Sequence, residues 1–450
     1  QATQSFQAGS SRQQAAGVGS ADQQSATSSA ANDESGRSAS TSEGKVSVGA
    51  AVAINVHRST VEAGVPDGVN VTAQGALTVQ SAAATSAALT ADGAAVTGED
   101  GGQSQVGVGV AVAVNVVNET NRARLGAGSH AGAGVIVRAV RPDGAEADAV
   151  SVQATSGAGG TKVGIAGSVA LNIVTMTTSA SIAGGATVNL GSGSSRIEAE
   201  EDITATAIAQ PSDEGVTGGK VGVGASFAMN LITASTVAEV EDGATLTAGQ
   251  GLTVQATSAL STDTQASAGA AGGIAVDASV ALALPSHTTR ARVGTGASLT
   301  LGTGALSITA TSTGAHAATS TGENKGGKVG VGASAALILG NGAQDGVLKN
   351  TSVTEAVLAR SATAGSLVLT ATASRTYDAN ATATSGGGIF SEADEKVNEA
   401  TGGTASSAQA LDDTKDFQRD QDGNKESAKV TVAAAAGIAA AQDAVNATLA

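Results

Sequence analysis

Residues 106–116 read Val-Gly-Val-Gly-Val-Ala-Val-Ala-Val-Asn-Val, placing Val106, Val108, Val110, Val112, Val114 and Val116 on one face and Gly107, Gly109, Ala111, Ala113 and Asn115 on the other. A period of two kept over eleven residues predicts a β-strand and excludes a helix. Near-copies occupy residues 46–56, 163–173, 221–231, 274–284 and 329–339, and a seventh begins at Val430. The steps between their first residues are 60, 57, 58, 53, 55 and 101. The pattern therefore predicts a tandem repeat whose last full unit carries an insertion.

The second face of these strands is small rather than charged. Glycine inside a strand costs roughly 0.5–1 kcal/mol relative to alanine, so repeated glycine needs a compensating contact. Close approach of another backbone layer supplies one. The strands are accordingly expected to be buried on both sides, with a thick Val layer beneath and a tight Gly/Ala layer above.

Downstream, polar stretches at 118–121, 175–178 and 286–289 read as turns, followed by short strands at 122–125 and 290–293. Gly-rich corners come next at 183–187, 241–245 and 294–298, then two further short strands such as 246–248 and 252–257. Each repeat thus holds about four strands and no helix. A Ser/Thr/Ala/Gly tail of variable length closes it, short at 156–162 and long at 371–429, and reads as a surface loop. The long tail carries Glu392, Asp394, Glu395, Asp412, Asp413, Asp416, Asp420 and Asp422 and is expected to be mobile. The divisions are a Ser/Gln/Ala-rich tail of a preceding repeat at 1–43, then repeats at 44–104, 105–160, 161–219, 220–273, 274–327 and 328–428. The last of these holds the acidic insertion at about 374–428, and a seventh repeat starts over 429–450. Gln1-Ala-Thr matches Gln153-Ala-Thr and Gln255-Ala-Thr, so both ends are expected to be cuts in a longer array.

Composition decides how such repeats can be stable. Aromatics are 1% of the 450 residues, limited to Phe6, Phe227, Phe390, Phe417 and Tyr377, so any interior is thin and built from Val, Ala, Ile and Leu. At roughly 25 cal/mol per Å² these small side chains barely offset a chain entropy of about 1–2 kcal/mol per residue. One repeat could not stand alone, whereas stacked repeats cover one another's open edges. The expected fold is all-β, a β-solenoid or β-helix, with a string of small tandem β-sandwich repeats as the alternative. Charged residues are only 14%, which argues against disorder. A membrane β-barrel would carry aromatic girdles that this chain lacks.

The net charge of −16 and a pI near 4.6 disfavour nucleic acid and anionic bilayers as partners. There is no cysteine, hence neither disulfides nor thiolate metal sites, a composition common to long bacterial surface proteins. No apolar run of about 18 residues is present to form a membrane helix.

The passage Val-Gly-Val-Gly-Ala-Ser-Phe-Ala-Met-Asn at 221–230, with Thr-Ala-Ser-Thr-Val-Ala-Glu-Val at 233–240 and Leu-Thr-Val-Gln-Ala-Thr-Ser at 252–258, resembles repeats of giant bacterial surface proteins. These are the leukotoxin-like and haemagglutinin-like filamentous adhesins, and the resemblance spans most of 44–370. It implies secretion, surface attachment and roles in adhesion or cell–cell contact, and it transfers no catalytic residue.

Candidate motifs weigh toward structural readings. Gly322-Glu-Asn-Lys-Gly-Gly-Lys328 fits the first part of a phosphate-binding loop, but Val329 stands where Ser or Thr would hold Mg²⁺, so a turn before a strand is expected. His57, His130, His287 and His316 are scattered, and His57 and His287 fall at equivalent positions expected to be exposed turns. Asp416, Asp420, Asp422 and Gly423-Asn424 are spaced like a calcium loop, but Gln418 and Lys429 break the EF-hand order, so a solvated acidic loop at 412–424 is expected, with weak calcium binding as the alternative. Asn55, Asn115, Asn172 and Asn230 are expected to stack as an amide ladder. Thr309-Ala-Thr311 and Thr370-Ala-Thr372 look too isolated to form an ice-binding array. No unique asymmetric constellation for catalysis stands out, so no catalytic, cofactor or metal site and no enzyme activity is expected. The expected role is the non-enzymatic stalk of an extracellular or cell-surface adhesin. The alternative is a subunit of a homopolymeric extracellular filament or sheath. Expected partners are neighbouring repeats of the same chain, with self-association into fibres or a cell-surface ligand beside them, and neither nucleic acid nor membrane insertion.

Overall fold

The computed structural model describes residues 46–95, 105–247, 249–339, 343–344, 347–348, 352–386, 430–441 and 443–449. All regular structure among them is strand. The opening passages extend further than their alternation suggests. Val46–Val65, Val106–Leu125, Val163–Ile182 and Val221–Val240 are unbroken strands of 20 residues. Each pairs in parallel with its counterpart in the next repeat and in perfect register. Val46 meets Val106 and Val65 meets Leu125, with the same correspondence from Val106 to Val163, Val163 to Val221 and Val221 to Ile274. Residues 274–293 belong to the strand Gly251–Val293 and continue the series to Val329, which in turn meets Val430.

A second broad sheet lies opposite. Leu77–Ala82 pairs with Val135–Val140, which pairs with Ser195–Gly218, and the series continues through Gly251–Val293 and Ala305–Leu339 to Ser366–Gly386. A narrow third face links the two through Val71–Thr72, Ser129–Ala131, Thr187–Asn189 and Thr245–Thr247. Each repeat therefore adds one layer to every sheet. Separate sandwiches would need strand pairing inside a repeat. Among the described residues that occurs only in the antiparallel pair Ala343–Gln344 with Val347–Leu348.

Side-chain size along the strand sets the gap between the broad sheets. At the end next to the narrow face the interior is filled by Leu125, Ile182, Leu190, Ile197, Leu252 and Leu306. Mid-strand it thins to alanines such as Ala113, Ala170, Ala228 and Ala281. At the far end glycine faces glycine. A Cβ on Gly224 would stand 2.5 Å from the Gly269 carbonyl oxygen, and one on Gly109 would press into Gly157 and Gly93. The expected close backbone layer is thus present, and it lies inside the wedge. The Gly-rich corners also turn as expected, with Gly68, Gly185 and Gly243 at φ 82°, 79° and 83°, where a Cβ would be strained.

Three expectations need correction. The Val face is not a buried layer. It points outward, and Val52, Ile54 and Val56 on the first strand are 64%, 54% and 55% exposed. The polar stretches at 118–121, 175–178 and 286–289 are not turns. Inward–outward alternation runs through them unbroken, so their polar residues enter the interior instead. The short tails are not loops either. Asp148–Gly160 is a strand whose Gly157 and Gly159 close against Gly109 and Gly107, because only glycine lets the two backbones approach this far. Of the long tail, residues 371–386 are strand, and the acidic loop with the calcium candidate at 412–424 lies outside the described residues.

Candidate functional surface

The interior holds the polar residues that the inward register captured. Asn55 Nδ2 donates to Asn115 Oδ1 at 2.8 Å, and Asn172 Nδ2 to Asn230 Oδ1 at 3.0 Å. Their amides also donate across to the opposite sheet, Asn172 to Thr206 O at 2.8 Å and Asn230 to Asp263 O at 2.9 Å. The amide ladder is present in these two rungs and ties the sheets together. It is interrupted between Asn115 and Asn172, where Asn115 Nδ2 and Asn172 Oδ1 have no partner.

Two steps further along the same inward file, Glu119 meets carboxylates from the second sheet. Thr85 donates its N–H to Asp148 and its hydroxyl to Glu119, while the Thr178 hydroxyl donates to Glu201. Burial pushes Glu119 up to about 7, with the nearby Asp148 charge adding to it. Glu201 is raised well above the ordinary carboxyl value, first by burial and then by its hydrogen bond to Asp148. Burial raises Asp148 too, against hydrogen bonds from Glu201 and Thr85. No three His, Asp or Glu groups among the described residues are arranged to hold a metal ion.

A second interior cluster unites residues that look scattered in sequence. His287 and His316 are both buried, with ring centroids 6.4 Å apart, so His287 is not the exposed turn residue expected. His57 is half-buried within a strand and, contrary to expectation, aligns through Val117, Val174 and Ile232 with Pro285 rather than with His287, and His130 is buried with Nε2 2.8 Å from Gly126 O. Arg375, whose side chain is only 1% exposed, donates to His287 Nε2, to Ser312 Oγ at 2.8 Å, to Thr354 Oγ1 at 3.0 Å and to Asp443 Oδ1 at 2.9 Å. Burial, aided by the Arg375 charge, lowers His287 to about 3 and His316 to about 4. Ser312 Oγ lies 3.1 Å from His287 Nε2, which superficially pairs a nucleophile with a base. However, His287 Nδ1 has no partner to orient it, and the guanidinium suppresses its basicity. The cluster ties the two broad sheets together.

Gly322–Lys328 lies within the strand Ala305–Leu339, and no helix follows, so its backbone is committed to a sheet rather than to a phosphate.

The outer surfaces differ sharply from one another. On the first broad face the outward positions of residues 46–56, 106–116, 163–173, 221–231, 274–284 and 329–339 are all Val, Ile, Leu, Ala, Gly, Phe or Met. The later half of the same strands is polar, with files of ion pairs such as Arg290 to Glu355 at 2.8 Å and Arg292 to Glu239 at 3.8 Å. On the second broad face Thr257, Thr311 and Thr372 are cross-strand neighbours, as are Gln255, Thr309 and Thr370. The two Thr-Ala-Thr segments are therefore stacked rather than isolated, in a patch three strands deep.

The inward acids and histidines were hidden in the sequence because they break no local pattern. Carrying the parity of Gly107 forward twelve residues would have placed Glu119 inside.

In comparisons with known proteins, no family model, curated protein or solved structure matches this chain.

Proposed function

We propose that the chain is a non-enzymatic structural segment of a large extracellular or cell-surface bacterial protein, its repeats stacked as a β-solenoid. The observation that carries this reading is the unbroken register of the first broad face, in which each strand pairs with its equivalent one repeat away. Such pairing propagates indefinitely and gives each unit the same two neighbours. The buried histidine and carboxyl clusters serve cohesion within it, and an acidic, cysteine-free exterior suits life outside the cell.

The geometry refines the stalk reading. Each repeat advances the stack by one strand spacing, about 4.8 Å, while a 20-residue strand spans about 66 Å. Repetition here extends broad faces more than it extends reach. The segment is better suited to presenting surfaces for adhesion or packing than to serving as a thin spacer. Antibody against the chain, applied to intact producing bacteria, should label the cell surface. Label that appears only after lysis would overturn the reading.

A further inference from the structure

We infer that the apolar half of the first broad face is a docking surface for a second copy of this chain, packed face to face. The outward positions of residues 46–56, 106–116, 163–173, 221–231, 274–284 and 329–339 hold no charged and no hydrogen-bonding side chain. The series continues with Val432 and Ile438, each 44% exposed. In-register parallel pairing arranges these residues as straight files, among them Val52, Val112, Val169, Phe227 and Val280.

The size of the plane separates this face from ordinary surface apolarity. Eleven residues along each strand and six spacings across the strands give about 36 Å by about 29 Å, roughly 1,000 Å². The largest apolar patch on a typical monomer is about 300–600 Å², and a stable dimer covers about 800 Å² on each partner. Parallel sheets are almost always covered on both faces. Among the described residues only the inner face is covered, by the opposite broad sheet.

Chemistry selects a second copy over other occupants. A flat plane of β-branched files spaced one strand apart is complementary to another plane with the same spacing, and two such planes interdigitate about 10 Å apart. A two-fold arrangement satisfies both copies at once and closes the assembly. The polar, ion-paired half of each strand then forms a wet rim on one side. With a net charge of −16, an anionic bilayer is a poor alternative.

Sedimentation of the purified full chain tests the inference independently of where the protein resides, so its failure would leave the surface reading untouched. The wild type should sediment as a dimer at micromolar concentration. Val169→Lys and Phe227→Lys, at the centre of the plane, should each weaken the dimer about 100-fold with the far-UV circular dichroism unchanged. Thr177→Lys, outward in the polar half, should leave it intact. Should the lysine variants fold poorly, the milder Val169→Thr still has to weaken association. Three outcomes overturn the inference. One is a wild type that stays monomeric at tens of micromolar, as it would if the chain's own residues 1–45 or 387–429 covered the plane. The second is a dimer indifferent to Val169 and Phe227, and the third is flotation of the monomer with neutral phosphatidylcholine vesicles.

Discussion

Adding one methyl group at Gly109 tests the reading of the thin end of the wedge. A Cβ there would press into the carbonyl of Gly157 in its own repeat and lie 2.8 Å from the carbonyl oxygen of Gly93 in the preceding one. Both obstructing atoms are backbone held in sheets, so relief requires the two broad sheets to separate locally. Overpacking of this kind costs about 1–3 kcal/mol, and rigid neighbours on two layers place Gly109→Ala near the upper end. Against this, alanine regains about 0.5–1 kcal/mol of strand preference, which leaves a net loss of about 2 kcal/mol. Gly75→Ala is the control, because nothing lies within 4 Å of a Cβ at that position. Urea unfolding followed by circular dichroism, with amide exchange mapped over residues 106–116 and 157–160, reads the loss where it should occur. If Gly109→Ala matched Gly75→Ala within about 0.5 kcal/mol, the claim that the sheets meet backbone to backbone would be wrong.

Two further outcomes are expected. Glu119, Glu201 and Asp148 are raised above their ordinary values, so the folded chain holds protons that the unfolded chain releases. The contribution of Glu119 is complete below about pH 4.5 and fades as pH rises through about 7, on the order of 3 kcal/mol, and those of Glu201 and Asp148 are likewise lost as pH rises. His287 and His316 are depressed, so theirs is complete above the ordinary histidine value of 6.5 and is lost as pH falls toward 4 and 3. Melting should therefore peak between pH 5 and pH 8, and Glu119→Gln should flatten the alkaline arm alone; a wild-type profile that is flat refutes both assignments. Arg360 is buried and donates to the carbonyls of Gly294, Ala244 and Thr295, joining corners from successive repeats. Arg360→Met should lower stability by about 2–4 kcal/mol in denaturant titration, and Arg360→Lys should recover only part, since an ammonium cannot span three acceptors.

The strands, their period and the close Gly layer were legible in the sequence because alternation and repeat spacing are local signals. What each face meets was not. Val112 and Ala113 both look like core residues in a list, and only the fold shows Ala113 fully buried and Val112 on the outer plane. The polar stretch at 118–121 mimicked a turn because polarity, rather than glycine or proline, was the cue. Glu119 and Asn121 in fact keep the strand's inward parity. Asp148 and Glu201 meet only through pairing between repeats, and His287 and His316 only because the two broad sheets face each other across the interior. No window of sequence short enough to read as a motif contains either cluster.

The central claim is that each layer owes its stability to the layers above and below it. Thermal unfolding of residues 220–273 alone, beside arrays of two, four and six repeats, tests this most directly. A lone unit should show no cooperative transition, and the melting temperature should climb with every repeat added. A single unit that melts sharply at the temperature of the longer arrays would contradict it.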